Sequence, residues 1–186
     1  AKKSITGPGA GNFITVARAA AAAQAIVGEQ RMRAGGMIQA HGTGTPQNRV
    51  TESEIFSRVA QAFGVDQWSV VAIKSHIGHS LGAAAGDQLS AALGIWETGL
   101  LPAINTIDGI ADDVSSERLK FVLETTAADV PDYSLVNSKG FGGNNATAVL
   151  LSPSSTLELL NAHHGNTAMT KWRGSVESVQ CERQAI

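Results

Sequence analysis

Two short apolar runs, each ending on a polar motif, constrain the fold of this chain more than any other feature. Gly36-Met37-Ile38-Gln39-Ala40 and Trp68-Ser69-Val70-Val71-Ala72-Ile73 are mostly apolar and short, the pattern of strands buried inside a sheet. Each follows a segment of helical period. Phe13, Val16, Ala20, Ala23 and Val27 predict a helix from about Asn12, its N-cap, to Met32, with Gly28 as a weak point. Ile55, Val59 and Phe63 predict a second over Thr51–Phe63, with Glu52 and Glu54 favouring its N-terminus and Gly64 ending it. A third, Gly82–Trp96, is rich in Ala and Gly, as expected of a helix that other backbone approaches closely. Beyond an irregular stretch, 102–116, three runs read as strands: Leu119–Leu123, Tyr133–Ser138 and Ala146–Leu151, the last two flanking a glycine-rich loop like a hairpin. Helices alternating with strands predict an α/β layered domain with a mixed sheet.

With 186 residues, 43% of them hydrophobic, the chain can bury one sizeable core. Its 14 Lys and Arg against 16 Asp and Glu leave no basic footprint for nucleic acid. The single cysteine, Cys181, excludes an intrachain disulfide framework and suits a reducing compartment. The apolar stretch Ala17–Val27 carries Arg18 and Gln24 and reads as too short and too weakly apolar for a bilayer span, so a soluble cytoplasmic protein without membrane partner is expected.

Three motifs place polar side chains where strands end: Ala40-His41-Gly42-Thr43-Gly44-Thr45-Pro46, Ile73-Lys74-Ser75-His76-Ile77-Gly78-His79-Ser80, and Asn137-Ser138-Lys139-Gly140-Phe141-Gly142-Gly143-Asn144-Asn145. His-Ile-Gly-His also spells a class I aminoacyl-tRNA synthetase signature, but no Lys-Met-Ser-Lys-Ser partner or basic surface accompanies it. A zinc site is disfavoured because the His-x-x-His pair lies in a glycine turn without Cys or carboxylate at regular spacing. Gly140-Phe141-Gly142-Gly143 lacks the spacing and the following helix of a dinucleotide loop; its glycines suit an oxyanion site of backbone N–H groups. No metal is expected.

Taken together, and in this order, the motifs resemble the C-terminal half of β-ketoacyl synthases, condensing enzymes of fatty-acid and polyketide synthesis with the thiolase fold; the resemblance runs from about Asn12 to Leu151. It implies half of a layered thiolase-like fold, incomplete without an N-terminal half that supplies the nucleophilic cysteine. It also implies that His41 and His79 bind the malonyl thioester carbonyl and stabilise its enolate, and that Lys74 supports the second histidine. Thr43 and Thr45 would bind the pantetheine arm and Phe141 would gate the site, its N–H joining the oxyanion hole. The substrate carrier would be the phosphopantetheine of acyl carrier protein or coenzyme A, with no permanently bound cofactor, and the assembly a homodimer.

Lys139, where many relatives place a phenylalanine, and Gln88, where a glutamate is common, depart from the family pattern. Cys181, in Val179-Gln180-Cys181-Glu182, lacks the strand-to-helix elbow of a nucleophile. Residues 1–11 are expected to be an irregular lead-in, 12–152 the ketosynthase half, and 153–186 an extension with a short helix around Thr156–Ala162. The competing expectation is a non-elongating, chain-length-factor-like partner; against it, His41, Lys74 and His79 are all present.

Overall fold

A computed structural model describes residues 9–127 and 131–184; most of the expected lead-in, residues 1–8, lies outside the described residues. Two units are distinguished, Ala1–Ser152 and Pro153–Ile186.

In the first unit, helix α1 spans Ala10–Val27 and α2 Glu29–Ala34. The single helix expected over 12–32 is therefore broken at Gly28, whose φ of 87° and ψ of 162° no helix accommodates. Asn12 is not the N-cap: it lies inside the first turn, fully buried, its carboxamide without a hydrogen-bond partner among the described residues. Strand β1 is Met37–Gln39, and α3 runs Pro46–Phe63. Helix α3 starts five residues earlier than expected, because Thr45 is extended at the N-cap and Pro46 fits the first helical position. Strand β2 (Trp68–Val71), the single-turn α4 (Lys74–Ile77) and α5 (Ala84–Thr98) follow. Two-residue strands β3 (Leu100–Leu101) and β5 (Thr126–Ala127) pair with each other, too short for a sequence pattern to reveal. Strand β4 is Leu119–Phe121, and β6 (Tyr133–Gly140) and β7 (Asn144–Leu151) form the expected hairpin.

The main sheet has the order β4-β2-β1-β6-β7, parallel except for β7. Alternation along the strands divides the core. Ile38, Val70 and Leu135 pack with Val16, Ala20, Ile55, Phe56 and Val59 of α1 and α3, while Met37 and Val71 pack with Ala92, Ile95 and Trp96 of α5. Helices thus cover both faces, as parallel strands require. Among the described helices, α1 is long and apolar enough to cross a membrane, with a mean hydropathy of 1.2, more than its sequence segment 17–27 suggests; Val16, Ala20 and Ala23 spend its apolar face on the core. Helix α5 shows a different departure. A Cβ added at Gly86 or Gly94, or at Gly82 in the turn before the helix, would meet nothing, so among the described residues no backbone takes the close approach that these small residues permit.

In the second unit, α6 (Pro153–His164) and α7 (Asn166–Gln184) pack on each other. Only a short helix is legible in this sequence, because its polar, weakly periodic composition hides both long ones. Cys181 is an exposed free thiol on α7, with no elbow around it.

Candidate active site

The sheet register builds the site. Gln39 of β1 stands opposite Val71 of β2 on one side and Val136 of β6 on the other. His41, two residues past the first, therefore emerges beside Lys74 and Lys139, at the carboxyl ends of parallel strands where open α/β sheets place their ligands.

Glu52 holds the His41 loop. One helical turn before Ile55 and Phe56, it shares their buried face and is itself 4% exposed. Its carboxylate accepts from the main-chain N–H groups of His41 (2.8 Å) and Gly42 (3.0 Å), from Asn48 Nδ2 (2.9 Å) and from Asn137 Nδ2 (2.6 Å). Gly42 has φ 56°, the left-handed conformation that turns successive N–H groups onto one anion. Glu52 is thus not the helix-terminal charge that its sequence position suggests. Glu52, Asn48 and Asn137 are the site residues that sequence reasoning missed, although the core periodicity of α3 marks position 52 as inward-facing.

Each imidazole has one nitrogen fixed by backbone. Lys139 N–H donates to His41 Nδ1 (3.3 Å), and Leu81 N–H donates to His79 Nδ1 (3.1 Å). An Nδ1 that accepts carries no proton, so the tautomer that fits each ring has its proton on Nε2. The rings lie edge to face, centroids 5.4 Å apart. Burial lowers the His41 pKa to about 4; Glu52 raises it in part, while Lys74, His79 and Lys139 lower it further. At neutral pH His41 is therefore uncharged. His79 is exposed and depends on the turn: Leu81 has φ 56°, the one positive value at a non-glycine among the described residues. Ser80 Oγ donates to Asp87 beneath that turn.

Lys74 begins α4; the residue is half-buried and its ammonium nitrogen, which is fully buried, makes no hydrogen bond among the described residues. Burial lowers its pKa, opposed by Glu52 and Asp87. It meets His79 across a cavity of about 520 Å³ that Thr43 also lines, with Ile104, Ile110 and Phe121 on the far wall. Thr45, by contrast, is exposed at the N-cap of α3 and Phe141 is 88% exposed in a 3₁₀ turn, so neither belongs to that cavity. Gln88 does not engage the lysine. Its Nε2 donates toward the carbonyls of Gln39, Ala40 and Asn137 (2.7–3.0 Å), tying α5 to the end of β1 and the middle of β6.

Lys74 and His79 line the cavity and His41 does not, but the two rings lie edge to face beside that desolvated cation, a set of groups that suits stabilisation of negative charge developing on an oxygen. Among known protein families, the one described as "Beta-ketoacyl synthase, C-terminal domain" matches residues 4–108. The chain belongs to the β-ketoacyl synthase family. It is 48% identical over 185 residues to β-ketoacyl-[acyl-carrier-protein] synthase FabY of Pseudomonas aeruginosa, a match over 99% of this chain and 29% of that protein. It is 36% identical over 114 residues to 3-oxoacyl-[acyl-carrier-protein] synthase 1 of Escherichia coli, covering 61% of this chain and 26% of that one. Among solved structures, the ketosynthase FabY from P. aeruginosa superposes with a TM-score of 0.91 at 47% identity, over the whole of this chain and 29% of that one. This ketosynthase chain therefore spans less than a third of the relatives it matches, and its fold is the thiolase-like α/β fold of ketosynthases. The match to FabY also reaches past Leu151 into α6 and α7, further than the resemblance read from the motifs.

Proposed function

We propose that this chain is the C-terminal part of a β-ketoacyl-[acyl carrier protein] synthase that performs decarboxylative Claisen condensation, joining an acyl thioester to a malonyl thioester in fatty-acid or polyketide synthesis. The observation that carries this reading is the pairing of His41 and His79 as Nε2–H donors, each fixed through Nδ1 by a main-chain N–H. In the proposed reaction both donors receive the malonyl thioester oxygen, and their hydrogen bonds strengthen as decarboxylation turns that oxygen into an enolate. The enolate carbon then attacks the acyl group carried on a cysteine of the N-terminal half, expelling the thiolate. Lys74 contributes positive charge at the edge of the site. Thr43 and Thr45 bind the phosphopantetheine arm of acyl carrier protein or coenzyme A through their hydroxyls, and Phe141 swings as the gate, its N–H completing the oxyanion hole.

Residues 12–152 are the ketosynthase half in this reading and 153–186 an extension; the complete protein works as a cytoplasmic homodimer. The test is malonyl decarboxylation by the complete protein. His41→Ala and His79→Ala should each lower it by about 100-fold, and losses under about tenfold, roughly 1.4 kcal/mol of barrier, contradict the assignment. Transfer of a radiolabelled acyl group to the polypeptide separates this function from that of a non-elongating partner, which would take no label.

A further inference from the structure

Lys139 is the charged group beside the site to which the proposed reaction gives no task. It stands at the end of β6, half-buried, and works in two directions. Its main-chain N–H donates to His41 Nδ1, while its ammonium reaches back onto α3, donating to Asn48 Oδ1 at 2.7 Å and Thr51 Oγ1 at 3.4 Å. The same Asn48 donates to Glu52 from its amide nitrogen, so one carboxamide links the ammonium to the buried carboxylate. An apolar side chain at this position would leave the main-chain N–H but neither the link nor the charge.

We infer that Lys139 is a positioning residue for His41: it anchors the end of β6 to α3, which holds its own N–H against Nδ1, and its fixed charge opposes a second proton on the ring. This deepens the proposed function and rests on His41 acting as a neutral Nε2–H donor. The groups that face His41 are Glu52 from α3, Lys74 from α4, His79 from the turn beyond α4 and Lys139 from β6. Glu52 favours an imidazolium; the other three oppose it. Without the Lys139 ammonium the balance moves toward Glu52. A protonated ring would then aim an Nδ1–H at the Lys139 N–H, breaking the hydrogen bond that orients it.

The experiment uses the complete protein, with Lys139→Met to remove the charge and Lys139→Arg to keep it. Two quantities are read: the acid limb of malonyl decarboxylation against pH, and the titration of the His41 imidazole by ¹⁵N NMR. Lys139→Met should move both upward, and Lys139→Arg should leave both near wild type. Unchanged titration in Lys139→Met overturns the inference, and so do equal shifts in the two variants, which would make the effect one of packing. If Lys139→Met does not fold, Lys139→Gln takes its place, retaining a donor for Asn48. A protein that decarboxylates nothing refutes the proposed function, while the NMR titration still decides the role of Lys139.

Discussion

His41 and His79 present the same donor atom from opposite kinds of surroundings. His41 is 7% exposed, its loop fastened by a carboxylate that accepts four hydrogen bonds, with cations on two sides. His79 is exposed and held by a turn of glycine and serine whose one bulky residue, Leu81, sits at positive φ. The first histidine is positioned by a network that folding within this chain completes. The second is positioned by local backbone conformation, which costs about 1–2 kcal/mol at such a residue and persists where the surroundings impose it. A donor can thus be fixed by burial or by strain, and the two should fail differently.

The largest expected effect is on the buried side. Glu52→Ala leaves two main-chain N–H groups and two carboxamides without their acceptor, and should cost about 4 kcal/mol of stability, read by urea unfolding; a loss under about 1 kcal/mol would show the network to be dispensable. In the same variant the His41 ring resonances should shift while those of His79 hold.

A smaller effect follows from pH. The His41 pKa falls from 6.5 unfolded to about 4 folded, so between those values the unfolded chain binds more protons. The stability this contributes is fully present above about pH 6.5 and is lost as pH falls toward about 4, at most about 3 kcal/mol. Unfolding at pH 7 and pH 4.5 should therefore differ less in His41→Gln than in wild type. Equal differences would mean that the buried ring is not what couples stability to pH.

The smallest effect belongs to the strained turn. Leu81→Gly keeps the N–H that His79 accepts while removing the cost of positive φ, offset by glycine's greater freedom in the unfolded chain. The net change should lie within about 1 kcal/mol and the His79 tautomer should persist. A large destabilisation would mean that the leucine side chain, rather than the backbone, holds the turn.

Much of the framework was legible because strand burial and helical period are local signals. The runs around Ile38 and Val70 marked β1 and β2, and the glycine loop between two strand-like runs marked the hairpin. The start of α3 was missed because Pro46 and Gln47 carry no apolar period, and the break at Gly28 because the period continues to Met32 on both sides of it. At the site, the motifs named the histidines, but Glu52 reads as an ordinary helix-terminal charge until the helix is seen to start at Pro46. That same shift places Asn48 and Thr51 where the Lys139 ammonium can reach them. The tautomers depend on Lys139 N–H and Leu81 N–H, main-chain groups whose direction no side-chain pattern encodes.

The central claim is that both imidazoles accept at Nδ1 and donate from Nε2. Long-range ¹H–¹⁵N NMR of the complete protein with labelled histidine, at neutral pH, tests it most directly. The structure predicts a protonated Nε2 and an acceptor Nδ1 for both His41 and His79. A proton on Nδ1 of either ring, or an imidazolium at position 41, would contradict it.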